Sequence, residues 1–494
     1  MGVELSASRL LAPFFGASLF VWTNIIGIIM ISLSIGYFFG GKFADKHPHE
    51  HLFYTFSLIA GIFIGVIPLL SSFILPFATQ ALIATSYNDF LLSFIGSLLL
   101  FAFPTAFLGA IVPLAVRINT HTVERMGKTS GNIYALSTAG SIIGVYLPAL
   151  ILIPTIGTRL TIISFSILLI AISLLALIML SGNILKKSLL TIFIICFVIV
   201  SVIFIPHSIS SDQSVIYEGE SPYSYLQVRK VGNTISLAGR QYGGSWSKKI
   251  DGKIFTGTYW DYPLVSTAFS RSSENVLIIG LAAGTTAQSF SAAFPNTRID
   301  GVEIDPLVVD IGKHYFNMTL PNLHPIISDG RLFVKTTHNQ YDIIVVDVYR
   351  DAFIPYHMAT IEFFQEIKSI LKHGGVVSIN VVAISDTHIV DIIGNTMLQV
   401  FPAVYKVEAS TSNYILFATQ EEHTLDEIKT SILNKPGNIS FSPSVQRDDA
   451  LTLKIVFSEV YTGIEEVFPT EDMFFTDDHV PIEQIVGMDA FFSS

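Results

Sequence analysis

Cysteine and charged side chains are scarce in this 494-residue chain. The single cysteine, Cys196, lies inside an apolar run. It therefore allows no disulfide within the chain and no cysteine metal cluster, and it does not identify the redox compartment. Histidines and cysteines do not occur at the spacing that metal ligands need, so we predict no metal site. Charged residues make up only 14% of the chain, and their uneven distribution divides it into two parts.

The two parts differ in the sign of their charge. Residues 1–206 hold nine of the 28 basic and five of the 39 acidic residues, a net charge of +4, whereas residues 207–494 hold nineteen basic and thirty-four acidic residues, a net charge of −15. A basic surface is needed to neutralise phosphates, so the acidic part argues against nucleic acid as a partner. Its charge is compatible with a cationic substrate and equally with solubility alone.

The first 206 residues have the composition of a membrane domain. Apolar runs of roughly 20 residues are long enough to cross a bilayer, and about six of them are present. They lie at residues 20–41, 52–76, 90–116, 132–155, 159–181 and 188–206. Residues 1–19 are too short and too polar to span and lack the features of a secretory signal, so a partial or re-entrant helix is expected there. We therefore predict a multi-pass protein of the cell membrane that contacts the lipid bilayer.

Ionisable residues are nearly absent from the predicted spans. A proton- or ion-coupled carrier needs such groups facing a cavity, so their scarcity argues against active transport. Loop lysines and arginines, including Lys186 and Lys187 just before the last span, mark one side as cytoplasmic. This count places residues 207–494 on the outer side of the membrane.

Residues 207–494 have the pattern of an α/β domain. Alternating polar and apolar residues around Gly232-Asn233 predict a small β-hairpin layer over residues 213–240. Strand and helix patterns then alternate through residues 275–420, and residues 421–494 form a C-terminal extension. This alternation predicts a doubly wound, methyltransferase-like Rossmann sheet of about seven strands. The strands are expected near residues 276–280, 298–303, 324–327, 342–347, 374–381, 403–408 and 413–418.

Glycines and acidic side chains follow several of these predicted strands. Gly280 and Gly284 edge the turn after the first strand, and Glu303 follows Gly280 by 23 residues. An acidic residue at roughly this distance contacts ribose hydroxyls in nucleotide-binding βαβ units. Further groups stand at the ends of the next strands: Asp305, Asp329, Gly330 and Asp347. Because ligands bind at the carboxyl ends of strands in open α/β sheets, a nucleoside pocket is predicted there.

Several motifs occur in the order and spacing found in spermidine synthases. They are Val276–Gly284, Val302-Glu-Ile-Asp-Pro306, Ser328-Asp-Gly-Arg331, Tyr341–Asp347, Phe363-Phe364 and Gly374-Gly-Val376. Over residues 213–420 the chain resembles these aminopropyltransferases, and the whole architecture is similar to the membrane-fused branch of that family.

The resemblance implies a cofactor and a role for each site residue. The implied co-substrate is decarboxylated S-adenosylmethionine, with S-adenosylmethionine as the alternative. Glu303 would bind the ribose hydroxyls, Asp329 and Gly330 the adenine, and Asp347 would accept the proton of the incoming amine. Gly280, Gly284 and Asp305 complete the implied cofactor site. A competing interpretation of Glu303 and Asp329 is that they cap the helices that follow their strands.

The part of the site that would hold the amine departs from the family pattern. An aspartate that helps to hold the aminopropyl amine in spermidine synthases is replaced here by Ala283. Asp351 follows Asp347 by four residues rather than the family's three. Candidate substrate-binding residues are Tyr259, Asp261, Asp351 and His357. These departures indicate that the acceptor, or even the transferred group, has changed.

The sequence therefore favours a membrane-anchored aminopropyltransferase that acts on a polyamine such as putrescine. A methyltransferase of the same fold is one alternative, and a non-catalytic sensor or transport-associated module that binds a polyamine or nucleoside is another. We also expect a homodimer. Adenosyl sulfonium cofactors are made in the cytosol, which conflicts with the outer location that the loop charges favour. We nevertheless expect residues 207–494 to lie on the outer side of the membrane.

Overall fold

The computed structural model describes most of the chain. The described residues are 1–16, 19–85, 89–120, 122, 125–181, 188–189, 191–193, 212–239, 244–349, 354–383, 387–470 and 473–480. They form two compact units. The first comprises residues 1–212, 218–225 and 240–242, and the second comprises residues 213–217, 226–239 and 243–494. The predicted domain boundary at residue 206 lies outside the described residues and stays a prediction.

The first unit is helical. Its helices are α1 (Gly2–Phe15), α2 (Leu19–Lys46), α3 (Glu50–Thr85), α4 (Asp89–Asn119), α5 (Met126–Leu147) and α6 (Ile153–Leu180), with a π-helical turn at Pro148–Leu152 between the last two. Helix α1 contributes Ala7, Leu11 and Phe15 to a buried apolar cluster. Whether this helix enters the membrane only partly, as expected for residues 1–19, stays a prediction.

Within the part of the chain that the structure describes, four helical segments are long and apolar enough to cross a membrane. They are Phe20–Lys46, Glu50–Phe77, Phe90–Asn119 and Met126–Leu180. The fourth and fifth predicted spans form one segment of 55 residues, which breaks at Gly157, where φ is 79°. Glycine adopts this left-handed conformation without steric cost. The sixth predicted span, 188–206, lies almost entirely outside the described residues.

A small sheet of four strands precedes the larger sheet in the chain. They are β1 (Val215–Glu220), β2 (Tyr225–Val231), β3 (Thr234–Ala238) and β4 (Ser245–Ile250), in that spatial order. Strand β2 pairs antiparallel with β3 across the Gly232-Asn233 turn, and β3 pairs antiparallel with β4. Gly232 has a φ of 60°, which a tight hairpin turn requires.

The larger sheet has eight strands. They are β5 (Asn275–Ile279), β6 (Arg298–Glu303), β7 (Leu323–Ile327), β8 (Tyr341–Val346), β9 (Leu371–Val382), β10 (Ala403–Ser410), β11 (Asn413–Thr419) and β12 (Glu465–Glu466). The first seven confirm the predicted Rossmann-like sheet. The short β12 was not predicted, because two residues carry no periodicity.

Strand order explains where the site lies. The order is β12-β10-β11-β9-β8-β5-β6-β7, with parallel pairing from β7 through β9 and antiparallel pairing among β9, β11, β10 and β12. Strands β5 and β8 are neighbours at the centre, although two strands and three helices lie between them in the chain. The order of the strands reverses there, which is where ligands bind in open α/β sheets.

Helices and short helical turns connect the strands and cover both faces of the sheet. They are α7 (Ser266–Phe269), α8 (Thr285–Ala293), α9 (Pro306–Tyr315), α10 (Gly330–Thr336), α11 (Ile361–Ile370), α12 (His388–Leu398), α13 (Leu425–Asn434) and α14 (Arg447–Gly463). One apolar cluster includes Ile278, Phe290 and Phe457, and a second includes Ile279, Phe363 and Ile393. Neighbouring residues of β5 thus enter different clusters, as the alternation of a strand requires.

Candidate active site

The turn after β5 brings the ends of β5 and β8 into close approach. Gly280 has a φ of 89°, and a Cβ added to it would lie 2.1 Å from the backbone oxygen of Asp347. No other residue fits that space. Gly284, with a φ of 85°, faces Met318, whose Cγ and Sδ would lie 2.6 Å from an added Cβ. Ala282 adopts a φ of 48°, a conformation uncommon for alanine that often marks a functional turn.

Glu303 at the end of β6 is tied to this turn. One of its carboxylate oxygens accepts a hydrogen bond from the backbone N–H of Ala282 at 2.9 Å, and the other accepts from that of Asp305 at 3.1 Å. Desolvation raises the pKa of Glu303 to about 7, although the two backbone donors oppose the shift. Glu303 is therefore not an N-cap. Its carboxylate lies beside the glycine turn, where a ribose would be expected.

Asp305 and Asp329 have helix-capping contacts. Asp305 Oδ1 accepts a hydrogen bond from the N–H of Leu307 at the start of α9, and Asp329 Oδ1 accepts from that of Leu332 at the start of α10. Asp305 is only 2% exposed, whereas Asp329 is partly exposed. An N-cap uses one carboxylate oxygen. The capping interpretation thus describes one contact of Asp329 and does not exclude its role in adenine binding, which stays a prediction.

Asp347 directly follows β8 and is partly exposed. Its Oδ1 accepts a hydrogen bond from Asn380 Nδ2 of β9 at 2.9 Å. Desolvation raises the pKa of Asp347 to about 6, and the Asn380 amide opposes this shift because it stabilises the ionised form. A carboxylate with a pKa near neutral suits proton transfer.

Two tyrosines lie near this carboxylate. Burial raises the pKa of both Tyr259 and Tyr349 well above the usual value for a phenol, and the negative charge of Asp347 adds to the effect. The Tyr259 ring packs on Trp260 with 4.3 Å between ring centroids. The Tyr349 hydroxyl donates to the backbone oxygen of Asn380 at 2.8 Å. Both phenols therefore stay protonated and uncharged near Asp347.

The small sheet covers the glycine turn. Ser247 Oγ of β4 accepts a hydrogen bond from the Ala283 N–H at 2.9 Å, and Thr285 Oγ1 accepts from the Lys248 N–H at 2.9 Å. The Ala283 side chain is 0% exposed and packs in an apolar cluster. The cluster comprises Leu226, Val228, Ile235, Leu237, Ala283, Val308, Ile311 and Phe316. The described side chains of this cluster are apolar, so none of them could pair with an ammonium group.

The remaining candidate substrate-binding residues differ in their surroundings. Asp261 is 0% exposed, and its carboxylate accepts hydrogen bonds from Thr256 Oγ1, the Gly257 N–H and Ser289 Oγ. All of these contacts lie inside the protein. The surroundings of Asp261 therefore do not support the predicted contact with the substrate. Asp351 lies outside the described residues. His357 is partly buried in a short helical turn, and the roles predicted for these residues stay predictions.

An ion network that the sequence did not predict lies below the Asp329 turn. The Arg331 guanidinium donates to both carboxylate oxygens of Glu366, to both of Asp477 and to the backbone oxygen of His357, at 2.7–3.0 Å. Thr360 Oγ1 also donates to Asp477. Bidentate pairing of this kind fixes geometry as well as charge. The network joins α10, α11 and the 476–479 segment behind the predicted adenine site.

Comparison with known proteins identifies several that are similar to this chain. A family model described as the spermine/spermidine synthase domain matches residues 262–427. A probable polyamine aminopropyl transferase from Bifidobacterium longum is 31% identical over 287 residues, which are 56% of this chain and 64% of that protein. An N-terminal histidine N-methyltransferase from Emericella nidulans is 33% identical over 175 residues, 32% of this chain and 31% of that protein. The matched region thus spans less than two thirds of either relative.

A solved structure is also similar. The crystal structure of a probable spermidine synthase from Corynebacterium glutamicum aligns with a TM-score of 0.39 and 20% identity, covering 44% of this chain and 87% of that one.

Proposed function

Because residues 262–427 match a family model described as the spermine/spermidine synthase domain, we propose that this protein is an aminopropyltransferase. It transfers an aminopropyl group from decarboxylated S-adenosylmethionine to a polyamine such as putrescine. The observation that carries the proposal is the Asp347 carboxylate, which is partly exposed at the end of the central strand β8 and has its pKa raised to about 6.

The chemistry needs a base at this position. The nitrogen of a neutral amine attacks the carbon bonded to the sulfonium, a C–N bond forms, and the C–S bond breaks with its electron pair going to sulfur. The products are a lengthened polyamine and methylthioadenosine. An aliphatic amine has a pKa of about 10, as lysine does, so it arrives protonated and must lose a proton. Asp347 is ionised above pH 6 and takes that proton.

The nucleoside would bind on the other side of the glycine turn. Glu303 would accept hydrogen bonds from the ribose hydroxyls, and Asp329 with Gly330 would contact the adenine. An added Cβ at Gly330 would lie 2.5 Å from Cγ2 of Ile279. A side chain at position 330 would therefore disturb the strand end that supports the site.

The four apolar helical segments support a membrane anchor for this activity. Their length and composition suit a bilayer. We propose that the protein resides in the cell membrane and that its polyamine substrate reaches the second unit directly from the adjacent aqueous phase.

One observation favours a second candidate, a methyltransferase. The position at which spermidine synthases hold the aminopropyl ammonium is here Ala283, fully buried among apolar side chains. Without that carboxylate, the decarboxylated form of the cofactor has no evident advantage over S-adenosylmethionine. The methyltransferase relative from Emericella nidulans is compatible with this alternative.

Product analysis separates the candidates. The full chain, purified in detergent, is incubated with putrescine and either decarboxylated S-adenosylmethionine or S-adenosylmethionine, and products are identified by mass spectrometry. We expect spermidine and methylthioadenosine from the decarboxylated donor. S-adenosylhomocysteine with a methylated amine would instead support the methyltransferase. Binding of either donor without any product would contradict both and indicate a non-catalytic binding module.

A further inference from the structure

A chain of two buried amides leads from the β10–β11 turn to the Asp347 carboxylate. Ser410 Oγ and Ser412 Oγ donate to Asn413 Oδ1 at 3.0 and 3.3 Å. Asn413 Nδ2 donates to Asn380 Oδ1 at 3.0 Å, and Asn380 Nδ2 donates to Asp347 Oδ1 at 2.9 Å. Every link therefore has its donor on the side of the turn and its acceptor on the side of the carboxylate.

The turn itself sets this direction. Ser410 Oγ accepts hydrogen bonds from the backbone N–H groups of Ser412 and Asn413 at 3.3 and 3.1 Å. Its lone pairs are thus engaged, and its proton is available for Asn413 Oδ1. The Asn413 amide must then turn its nitrogen toward Asn380, which in turn presents its own nitrogen to Asp347.

Both amides are buried, and an unpaired polar group is costly away from water. Asn380 is 4% exposed and Asn413 is 8% exposed. The antiparallel register of β9 and β11, which pairs residue 413 with residue 382, brings the two amides together. In these surroundings each amide must keep its partner, so the direction of the chain is stable.

We propose that Asn413 is a positioning residue for the aminopropyl transfer. Acting through Asn380, it holds Oδ1 of Asp347 and leaves Oδ2 directed to the amine. This inference rests on the proposed function. Among the described residues, Asn380 is the one side chain that donates to the Asp347 carboxylate.

Two neutral phenols among the described residues lie near Asp347. The Tyr259 and Tyr349 phenols lie within electrostatic range of the carboxylate, and both stay protonated because their pKa values are raised. Tyr349 also fixes the position of Asn380: its hydroxyl donates to the Asn380 backbone oxygen and accepts from the Val382 N–H at 2.8 Å. The amide chain is therefore the only polar support of the carboxylate seen among these neighbours, and its direction should control the ionisation of Asp347.

The test compares three variants of the full chain in detergent: Asn413→Ala, Asn413→Asp and the control Asn322→Ala. Asn322 likewise accepts from a serine hydroxyl and donates to a backbone oxygen, but the contacts are with Ser291 and Thr297, outside the site. Two measurements are made, the pH dependence of kcat/KM and an infrared titration of the Asp347 carboxylate, identified by its loss in an Asp347→Asn background.

We expect the acid limb of the wild-type profile near pH 6, rising by about one pH unit in Asn413→Ala because the ionised carboxylate loses support. The shift should be larger in Asn413→Asp. There the new carboxylate accepts from both serine hydroxyls and from a reversed Asn380 amide, whose oxygen then faces Asp347. Turnover at the pH optimum should fall with little change in KM for the nucleoside donor, and Asn322→Ala should match the wild type in both measurements.

Two results would overturn the inference: unchanged profiles in both Asn413 variants, or equal shifts in Asn413→Ala and Asn322→Ala. If an Asn413 variant fails to fold, Ser410→Ala supplies a milder break in the same chain and should shift the profile in the same direction. The infrared titration needs no turnover. An inactive wild type would refute the proposed function, whereas an active wild type with an unmoved Asp347 titration in the variants would refute the positioning role alone.

Discussion

Asp347→Asn should lower turnover and raise stability at the same time. The substitution keeps the shape of the side chain and lets its Oδ1 still accept from Asn380 Nδ2, but it removes the proton acceptor. Loss of a general base typically reduces turnover by about 10²–10⁴. The gain in stability follows from the desolvation that raises the pKa of Asp347.

The size of the stabilisation depends on pH. The folded-state pKa of about 6 lies above the ordinary value of 3.8, so the protonated form favours the folded state. That contribution is complete below about pH 4 and is lost as pH rises to 6. Above pH 6 the full difference corresponds to about 3 kcal/mol at about 1.36 kcal/mol per pKa unit. Asp347 is partly exposed, so solvent screening reduces the expected cost to about 1–2 kcal/mol.

Thermal melting of the full chain in detergent measures this difference. A change of 1 kcal/mol shifts the melting temperature of a domain of 150–250 residues by about 2–4 °C. The second unit is of roughly this size, so Asp347→Asn should melt about 2–8 °C higher at pH 7.5 and within error of the wild type near pH 4. The control is Asp391→Asn, whose carboxylate pairs with Lys406 away from the site.

Two outcomes would refute this reasoning. Equal melting temperatures for Asp347→Asn and the wild type at pH 7.5 would show that the carboxylate is not desolvated as its surroundings imply. A stabilisation that stays constant from pH 7.5 to pH 4 would show that ionisation of Asp347 is not its cause. Wild-type turnover in the stabilised variant would exclude Asp347 as the base.

Three further predictions concern the turn, the replaced aspartate and the membrane. Gly280→Ala should destabilise the folded protein by about 1–2 kcal/mol because of the left-handed backbone conformation. Overlap of the new Cβ with the end of β8 should add about 1–3 kcal/mol. Gly252→Ala is the control in melting experiments, because Gly252 has a φ of 78° with open space around it and should show only the backbone cost. Ala283→Asp buries a carboxylate among apolar side chains, so it should lower the melting temperature without tightening calorimetric binding of decarboxylated S-adenosylmethionine; tighter binding would contradict this. If the second unit lies outside the cell, a maleimide should label the Ser440→Cys variant, made in a Cys196→Ser background, in intact cells. Labelling only after permeabilisation would place the second unit in the cytosol.

The strands of the second unit could be predicted because their apolar runs are short and bounded. Residues 276–279 are at most 1% exposed, as the unbroken apolar run indicated. Strand β4 lay beyond the predicted hairpin layer because Ser245–Ile250 carries polar residues at most positions. The helical segment over residues 126–180 breaks at Gly157, between the fourth and fifth predicted spans, where the polar group of Thr155 to Arg159 interrupts the hydropathy.

The site could be predicted only in part. Glu303 and Asp347 stand directly after strands, where sequence order alone locates them. Asn380 and Asn413 carry no such signal, because their meeting depends on the register of two antiparallel strands. The available hint was an amide within an otherwise apolar strand. The burial of Ala283 also could not be foreseen, since it depends on the small sheet folding over the glycine turn.

The packing of the small sheet has a consequence for biosynthesis. Its apolar face, which includes Leu226, Val228 and Leu237, is covered by Val308 and Ile311 of α9, and that helix lies later in the chain. During synthesis, these strands therefore leave the ribosome before helix α9, which packs on them, has been made. Isolated antiparallel strands of this size are only marginally stable in water. Until α9 has been synthesised, the nascent strands expose apolar surface that chaperones would recognise, so truncated chains that end before residue 306 should aggregate rather than accumulate as a folded fragment.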